Sequence, residues 1–144
     1  MGLDIGGVYV VRFPNRGMNE FYGKHYGVVL SKISKDDSTL LVAPITGKKS
    51  GHKYRGGITL DNFKYQTEPS YDSSFVYARK IQEIDKRRIL SERKLKRDNN
   101  GDVILDKNGN ELYYRKYTKA YQLDDEDLEK LRCKIEEIIK LKNC

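Results

Sequence analysis

The chain is poor in the residues that build metal and disulfide centres. It has two cysteines and two histidines. The cysteines, Cys133 and Cys144, sit near the C-terminal end, where they do not make the spaced framework of a disulfide-stapled domain. No CxxC pair, HExxH segment, P-loop or GxSxG turn occurs, so a zinc centre, a phosphate-cradling loop and a serine hydrolase have no support. No metal and no cofactor is expected. No apolar run reaches the roughly 18 residues of a membrane helix, and the N-terminus lacks a basic-then-apolar leader. A soluble cytoplasmic protein without membrane contact is the expectation.

What the chain has in excess is positive charge. Among 144 residues, 28 are Lys or Arg and 21 are Asp or Glu, a net charge of +7. The length suits one domain, 1–144, with a modest core. The cationic excess favours a polyanionic partner, nucleic acid first.

The centre of the reading is the stretch from Gly23 to Lys53. Its apolar runs Tyr26–Leu30 and Leu40–Ile45 are short and rich in Val, Leu and Ile, as buried strands are. The Ser34–Ser38 cluster between them is turn chemistry, so the two form a hairpin. An antiparallel pair sets the entrance of one strand beside the exit of the next. Lys24 and His25 on one side, and Thr46, Lys48, Lys49, His52 and Lys53 on the other, therefore gather at one sheet edge, a setting for a phosphate-bearing ligand.

Around it, Val8–Phe13 reads as a strand stopped by Pro14, with Tyr9, Val11 and Phe13 on one face and Val8, Val10 and Arg12 on the other. Residues 15–24 form a polar loop, either a flap over the site or plain surface. Ile58–Leu60 and Ser74–Ala78 read as strands, and Ile81, Ile84 and Ile89 as a strand end and a tight turn whose Lys86-Arg87-Arg88 cluster is a phosphate site or a solvated turn. Two Asn/Gly turns of type I′ character divide 91–122 into a meander. Its last run, Leu112–Tyr117, interleaves tyrosines with cations, suited to single-stranded RNA or to guarding an edge strand. Asp124 or Asp125 caps a closing helix with Leu128, Leu131, Ile135, Ile138 and Ile139 on one face. The sum is a mainly β, α+β chain: a small twisted antiparallel sheet, either open or closed into a barrel, with one or two helices, one of them C-terminal.

RNA carries its own nucleophile, the 2′-hydroxyl, and its cleavage needs a proton acceptor, a proton donor and charge stabilisation. His25 has the ordinary pKa for proton transfer near neutrality. Thr46 can hydrogen-bond a phosphate oxygen, and Lys24, Lys48 and Lys49 can offset charge. His52 is a second acid–base candidate.

The segments Gly7–Val11, Gly27–Ser31 and Leu41–Thr46, followed by Ser74–Val76, Ile84–Ile89 and Leu123–Leu128, resemble in order the strands and acidic-capped helix of the MazF/PemK toxin endoribonucleases. The resemblance implies an SH3-like barrel, metal-independent cleavage of single-stranded RNA to 2′,3′-cyclic phosphate and 5′-hydroxyl ends, and a cognate antitoxin. His25-Tyr26 stands where many relatives have Arg-Pro, so His25 or Lys24 takes the arginine's place, while Thr46 is retained. The basic Arg79 and the Ala43-Pro44-Ile45-Thr46 strand with its following lysines look more like the ToxN/CptN/AbiQ branch, the type III phage-defence toxins restrained by RNA. That likeness implies a phosphate or catalytic role for Lys49 and a place in the site wall for Tyr9. With the residue chemistry above, the candidate catalytic set is His25, Thr46, Lys24 and Lys49, and the candidate RNA contacts are Tyr9, Lys48, His52, Lys53, Arg79 and Lys80. The +7 charge and the basic residues outside the presumed site lean the antitoxin slightly toward RNA over protein. A homo-oligomer or a toxin–antitoxin assembly fits the family. The meander of about 91–122 has no counterpart in short members and reads as an RNA-contacting insertion. The alternative is a non-catalytic toxin or binding module on the same fold, blocking a protein such as DNA gyrase.

Overall fold

The computed structural model describes residues 2–17, 21–31 and 36–140. Part of the expected 34–38 turn, part of the 15–24 loop, and Cys144 fall outside those residues. Nine strands and one helix follow one another: β1 Gly7–Phe13, β2 Gly23–Val29, β3 Thr39–Gly47, β4 Gly57–Asp61, β5 Ser73–Tyr77, β6 Gln82–Asp85, β7 Ser91–Leu95, β8 Tyr113–Tyr117, β9 Lys119–Gln122 and α1 Asp125–Ile138. Among the described residues, no helix is long and apolar enough to cross a membrane.

The main sheet runs β4-β5-β3-β2-β1-β9, with β6 also pairing β3. The long β3 organises it. One edge takes β2, and the other takes β6 along Thr39–Val42 and β5 along Ile45–Gly47, all antiparallel. The apolar signal places the start of β2 at Tyr26, but the strand begins at Gly23. Pairing with β1 recruits the polar segment, through Val11↔His25, Arg12↔Lys24 and Phe13↔Gly23. Ladder hydrogen bonds are indifferent to side-chain polarity, so a hydrophobic pattern underestimates such a strand.

Both faces of the bent sheet carry core. Val8, Val28, Ala43, Ile45, Leu60, Val76, Leu123 and Leu131 pack on the helix side. Tyr9, Val11, Phe13, Val29, Leu40, Val42, Ile84 and Ile89 pack on the other. The question of which β1 face is buried has the answer both at Val8 and Tyr9, with Arg12 left exposed.

The expected barrel does not close: among the described residues no ladder joins β4 to β9. Side chains span the gap instead. The Tyr65 ring, just after β4, stacks on Tyr121 of β9 at 4.9 Å. Its hydroxyl donates to Asp127 and accepts from the Asp124 amide at 3.1 Å. Asp124 is the helix N-cap, accepting from the Asp127 amide at 2.9 Å, and Lys64 reaches both carboxylates. The acidic first turn of α1 thus caps the helix and ties it to the sheet.

The meander is a separate two-stranded sheet, β7 with β8. Its middle run contributes only single bridges, Arg97↔Val103 and Leu105↔Glu111. Both turns differ from type I′. Gly101 donates to Asp98 O and Gly109 to Asp106 O, so glycine stands fourth, with φ of 84° and 82°. That is the arrangement of a type I turn followed by a bulge. Asp98 and Asp106 side chains each accept two backbone N–H groups within their turns. Lys119–Gln122, at the end of the expected insertion, joins the main sheet beside β1.

Candidate active site

The β2–β3 ladder ends at Tyr26↔Ile45, which leaves His25 and Thr46 next in register across the two strands. Opposed residues of an antiparallel pair project to one face. The two therefore share the face of Val11, which pairs with His25, and of Phe75, which pairs with Thr46. Both are half-buried. Among the described residues nothing hydrogen-bonds the Thr46 hydroxyl. Burial pushes the His25 imidazole below its ordinary pKa, opposed by a hydrogen bond to the Tyr22 backbone. A neutral ring that donates one nitrogen's proton to a carbonyl keeps the other as an acceptor.

Around this pair lies a continuous aromatic surface. Phe21 packs on His25 with ring centroids 4.3 Å apart, and on Tyr77 at 5.7 Å. Tyr77 meets Phe75 at 5.0 Å, and Tyr54 lies 5.4 Å from Phe75. His52 stacks beyond Tyr54 at 6.5 Å. Cations sit on these rings: Lys48 over Tyr54 at 5.6 Å, Lys80 over Tyr77 at 4.9 Å and Arg79 over Tyr77 at 5.8 Å. Burial raises the Tyr77 phenol's pKa, with Tyr54 acting the same way and Arg79 in opposition.

Tyr54 and Lys48 side chains both tie down the basic loop after β3. Tyr54 Oη accepts from the Lys49 amide at 2.8 Å and donates to Gly47 O at 3.4 Å. Lys48 Nζ donates to Thr59 Oγ1 at 3.2 Å. Lys49, His52 and Lys53 are exposed. Arg79 is fixed by Nε donating to Arg55 O at 2.9 Å and by its amide donating to Gly56 O. A Cβ at Gly56 would fall 2.2 Å from Arg79 Cδ, and its φ is 78°. The bare glycine is what lets the arginine lie there.

Two of the expected site residues stand apart. Strand alternation sends Lys24 to the face opposite His25. There it lines a cavity of about 390 Å³ with Tyr26, Gly47 and Tyr71, a cavity that His25 lines as well. Tyr9 is 1% exposed, its hydroxyl accepting from the Asp4 amide, and it belongs to the second core. The other eight, His25, Thr46, Lys48, Lys49, His52, Lys53, Arg79 and Lys80, lie along the aromatic surface and its loop. Sequence reasoning missed Phe21, Tyr54 and Tyr77. For Tyr77 a signal existed: alternation in β5 puts it on the face of Phe75, two residues before Arg79-Lys80. Among the described residues no three His, Cys, Asp or Glu side chains are grouped to hold a metal ion.

A family model described as PemK-like, MazF-like toxin of type II toxin-antitoxin system matches residues 4–108. No curated protein matches the chain. The matched span runs from ahead of β1 to the second turn of the meander and takes in His25, Thr46 and the whole aromatic surface. The chain belongs to the PemK-like, MazF-like toxins of type II toxin-antitoxin systems.

Proposed function

We propose that this toxin is an endoribonuclease that cuts single-stranded RNA without a metal ion. The observation that carries the reading is the adjacency of an acceptor imidazole and an unengaged hydroxyl beside a cation-bearing aromatic surface. His25 takes the proton of the 2′-hydroxyl, and the freed oxygen attacks the adjacent phosphorus. Thr46 and the lysines 48 and 49 hold the charge that grows on the phosphoryl oxygens. The bond to the 5′-oxygen breaks, and that oxygen takes a proton from the cationic loop after β3, where Lys49 and His52 are exposed. The products are a 2′,3′-cyclic phosphate and a 5′-hydroxyl. Tyr54 and Tyr77 offer faces on which bases stack while Lys48, Arg79 and Lys80 meet phosphates.

The test is incubation of purified protein with mixed RNA in EDTA. Discrete cuts are expected, and His25→Ala or Thr46→Ala should abolish them with the fold intact. Uncut RNA would overturn the proposal and leave a toxin that acts by binding a protein target. For the antitoxin, membership of a type II family favours a protein, against the lean toward RNA drawn from net charge and the basic residues outside the site. Absorbance of the native complex at 260 nm separates the two.

A further inference from the structure

We infer that a basic furrow on the reverse face of β1 and β2 carries the backbone of the same single-stranded RNA away from the His25 end to the β7–β8 hairpin, which serves as a second binding arm. This rests on the reading above that the substrate is RNA.

Three concavities adjoin in sequence. The cavity that His25 lines shares Lys24 and Val10 with a groove of about 440 Å³ that also holds Arg12, Arg88 and Arg115. That groove in turn shares Arg115 and Ser91 with a third, on the hairpin, where Arg93, Tyr113 and Tyr114 stand. Backbone contacts hold the three parts together. Leu90 donates to Val10 O at 2.9 Å, and Ile89 bridges Val11.

The charge arrangement is costly for an unliganded surface. Arg12 lies directly opposite Lys24 in the β1–β2 ladder, and Arg93 directly opposite Arg115 in the β7–β8 ladder. Like charges facing across strands destabilise a sheet. Among the described residues, none of these four nor Arg88 forms an ion pair with a carboxylate, and the Arg115 guanidinium donates only to the neutral Ser91 hydroxyl, at 3.2 Å. The acid available nearby, Asp85, is committed to Arg87 by hydrogen bonds of 2.9 and 3.1 Å. Edge protection would place charges outward on each strand, whereas here cations from four elements converge on one hollow. A polyanion with regularly spaced charges resolves the repulsion. The far end adds Tyr113, 40% exposed, with the Arg93 guanidinium 3.8 Å from its ring centre. An aromatic face beside phosphate-binding cations suits a flexible single strand better than a duplex. Arg115 and Tyr113 lie beyond the residues 4–108 matched by the family, while Arg93 of β7 lies within them.

The experiment compares wild type with a triple variant, Arg88→Gln, Arg93→Gln and Arg115→Gln, none of them in the proposed cleavage machinery. Binding of a labelled mixed-sequence RNA carrying 2′-O-methyl groups, which cannot be cut, is followed by anisotropy over a salt series. Three lost phosphate contacts should reduce the slope of log K against log salt by about 2, and affinity at 0.1 M salt on the order of a hundredfold. If the triple variant does not fold, Arg88→Glu alone should still lower the slope by about 0.7 or more. An unchanged slope and affinity, with natural RNA still cut, overturns the furrow and spares the endoribonuclease reading. The reverse, no cutting by wild type but a furrow-dependent slope, removes the catalytic reading and leaves the furrow standing. A variant that binds RNA like wild type but no longer binds an acidic polypeptide overturns the proposal in favour of a protein partner.

Discussion

Gly57 is the position where one added carbon should do most damage. It pairs with Tyr77 in the β4–β5 ladder. A Cβ there would lie 1.8 Å from the Val76 carbonyl oxygen and 2.8 Å from Phe75 Cε2, whereas real Cβ contacts essentially never fall under 3.0 Å. The obstacle is backbone, so no rotamer change relieves it, and β4 must shift by more than about 1 Å from β5. That shift sacrifices about two ladder hydrogen bonds, each worth roughly 0.5–1.5 kcal/mol net, and adds overpacking strain of about 1–3 kcal/mol. Gly57→Ala should therefore cost about 3 kcal/mol out of a total stability of about 5–15 kcal/mol. Thermal unfolding followed by far-ultraviolet circular dichroism should show a midpoint about 10 °C lower. Gly51→Ala is the control: nothing lies within 4 Å of its Cβ, and only the φ of 83° opposes it, a cost of about 1 kcal/mol. A Gly57→Ala protein melting within about 2 °C of wild type would refute the steric reasoning. The same shift displaces Tyr77 and the cations on it, so RNA affinity should fall in this variant too.

His25 gives a pH dependence of definite sign. Burial lowers its pKa in the folded state, so stability is complete above the unfolded value of about 6.5 and declines as pH falls below it. His25→Gln should flatten the loss of urea midpoint on the acid side, and an equal loss in both proteins would count against burial as the cause. Asp127→Ala removes a 4% exposed carboxylate that Tyr65 and Lys64 both reach. Urea unfolding should show a loss of about 2–3 kcal/mol, and a loss well under 1 kcal/mol would mean the network does not hold the helix. Tyr54→Phe keeps the ring but removes the hydroxyl that clamps the basic loop. Amide exchange at Lys49 should accelerate about fivefold, matching one net hydrogen bond of about 1 kcal/mol; unchanged exchange would place the loop's order elsewhere.

Much of the molecule could be read from local chemistry. The β1, β3 and β5 strands announce themselves by short apolar runs, and the helix by its acidic cap and its Leu/Ile stripe. The opposition of His25 and Thr46 followed from hairpin register alone, because antiparallel pairing fixes which strand ends meet. The same reasoning could not assign Lys24 to a face, since gathering residues at one edge ignores which face each occupies. It failed for Tyr9 because a tyrosine at a strand centre reads alike whether its ring meets solvent or core. The open sheet was equally hidden: Tyr65 and Tyr121 are 56 residues apart in the sequence, and only their stacking shows that side chains take the place of a closing ladder.

The amino-acid order by itself determined the strands, the capped helix and the antiparallel pairing that puts His25 and Thr46 in opposed register, because each depends on neighbours in the chain or on the period of a strand. Only the tertiary structure decided which aromatic rings surround that pair, and which cations from β1, β2, the 86–88 turn and the hairpin converge on the reverse face. Those groupings depend on how a bent sheet brings remote segments together, and no local pattern encodes that curvature.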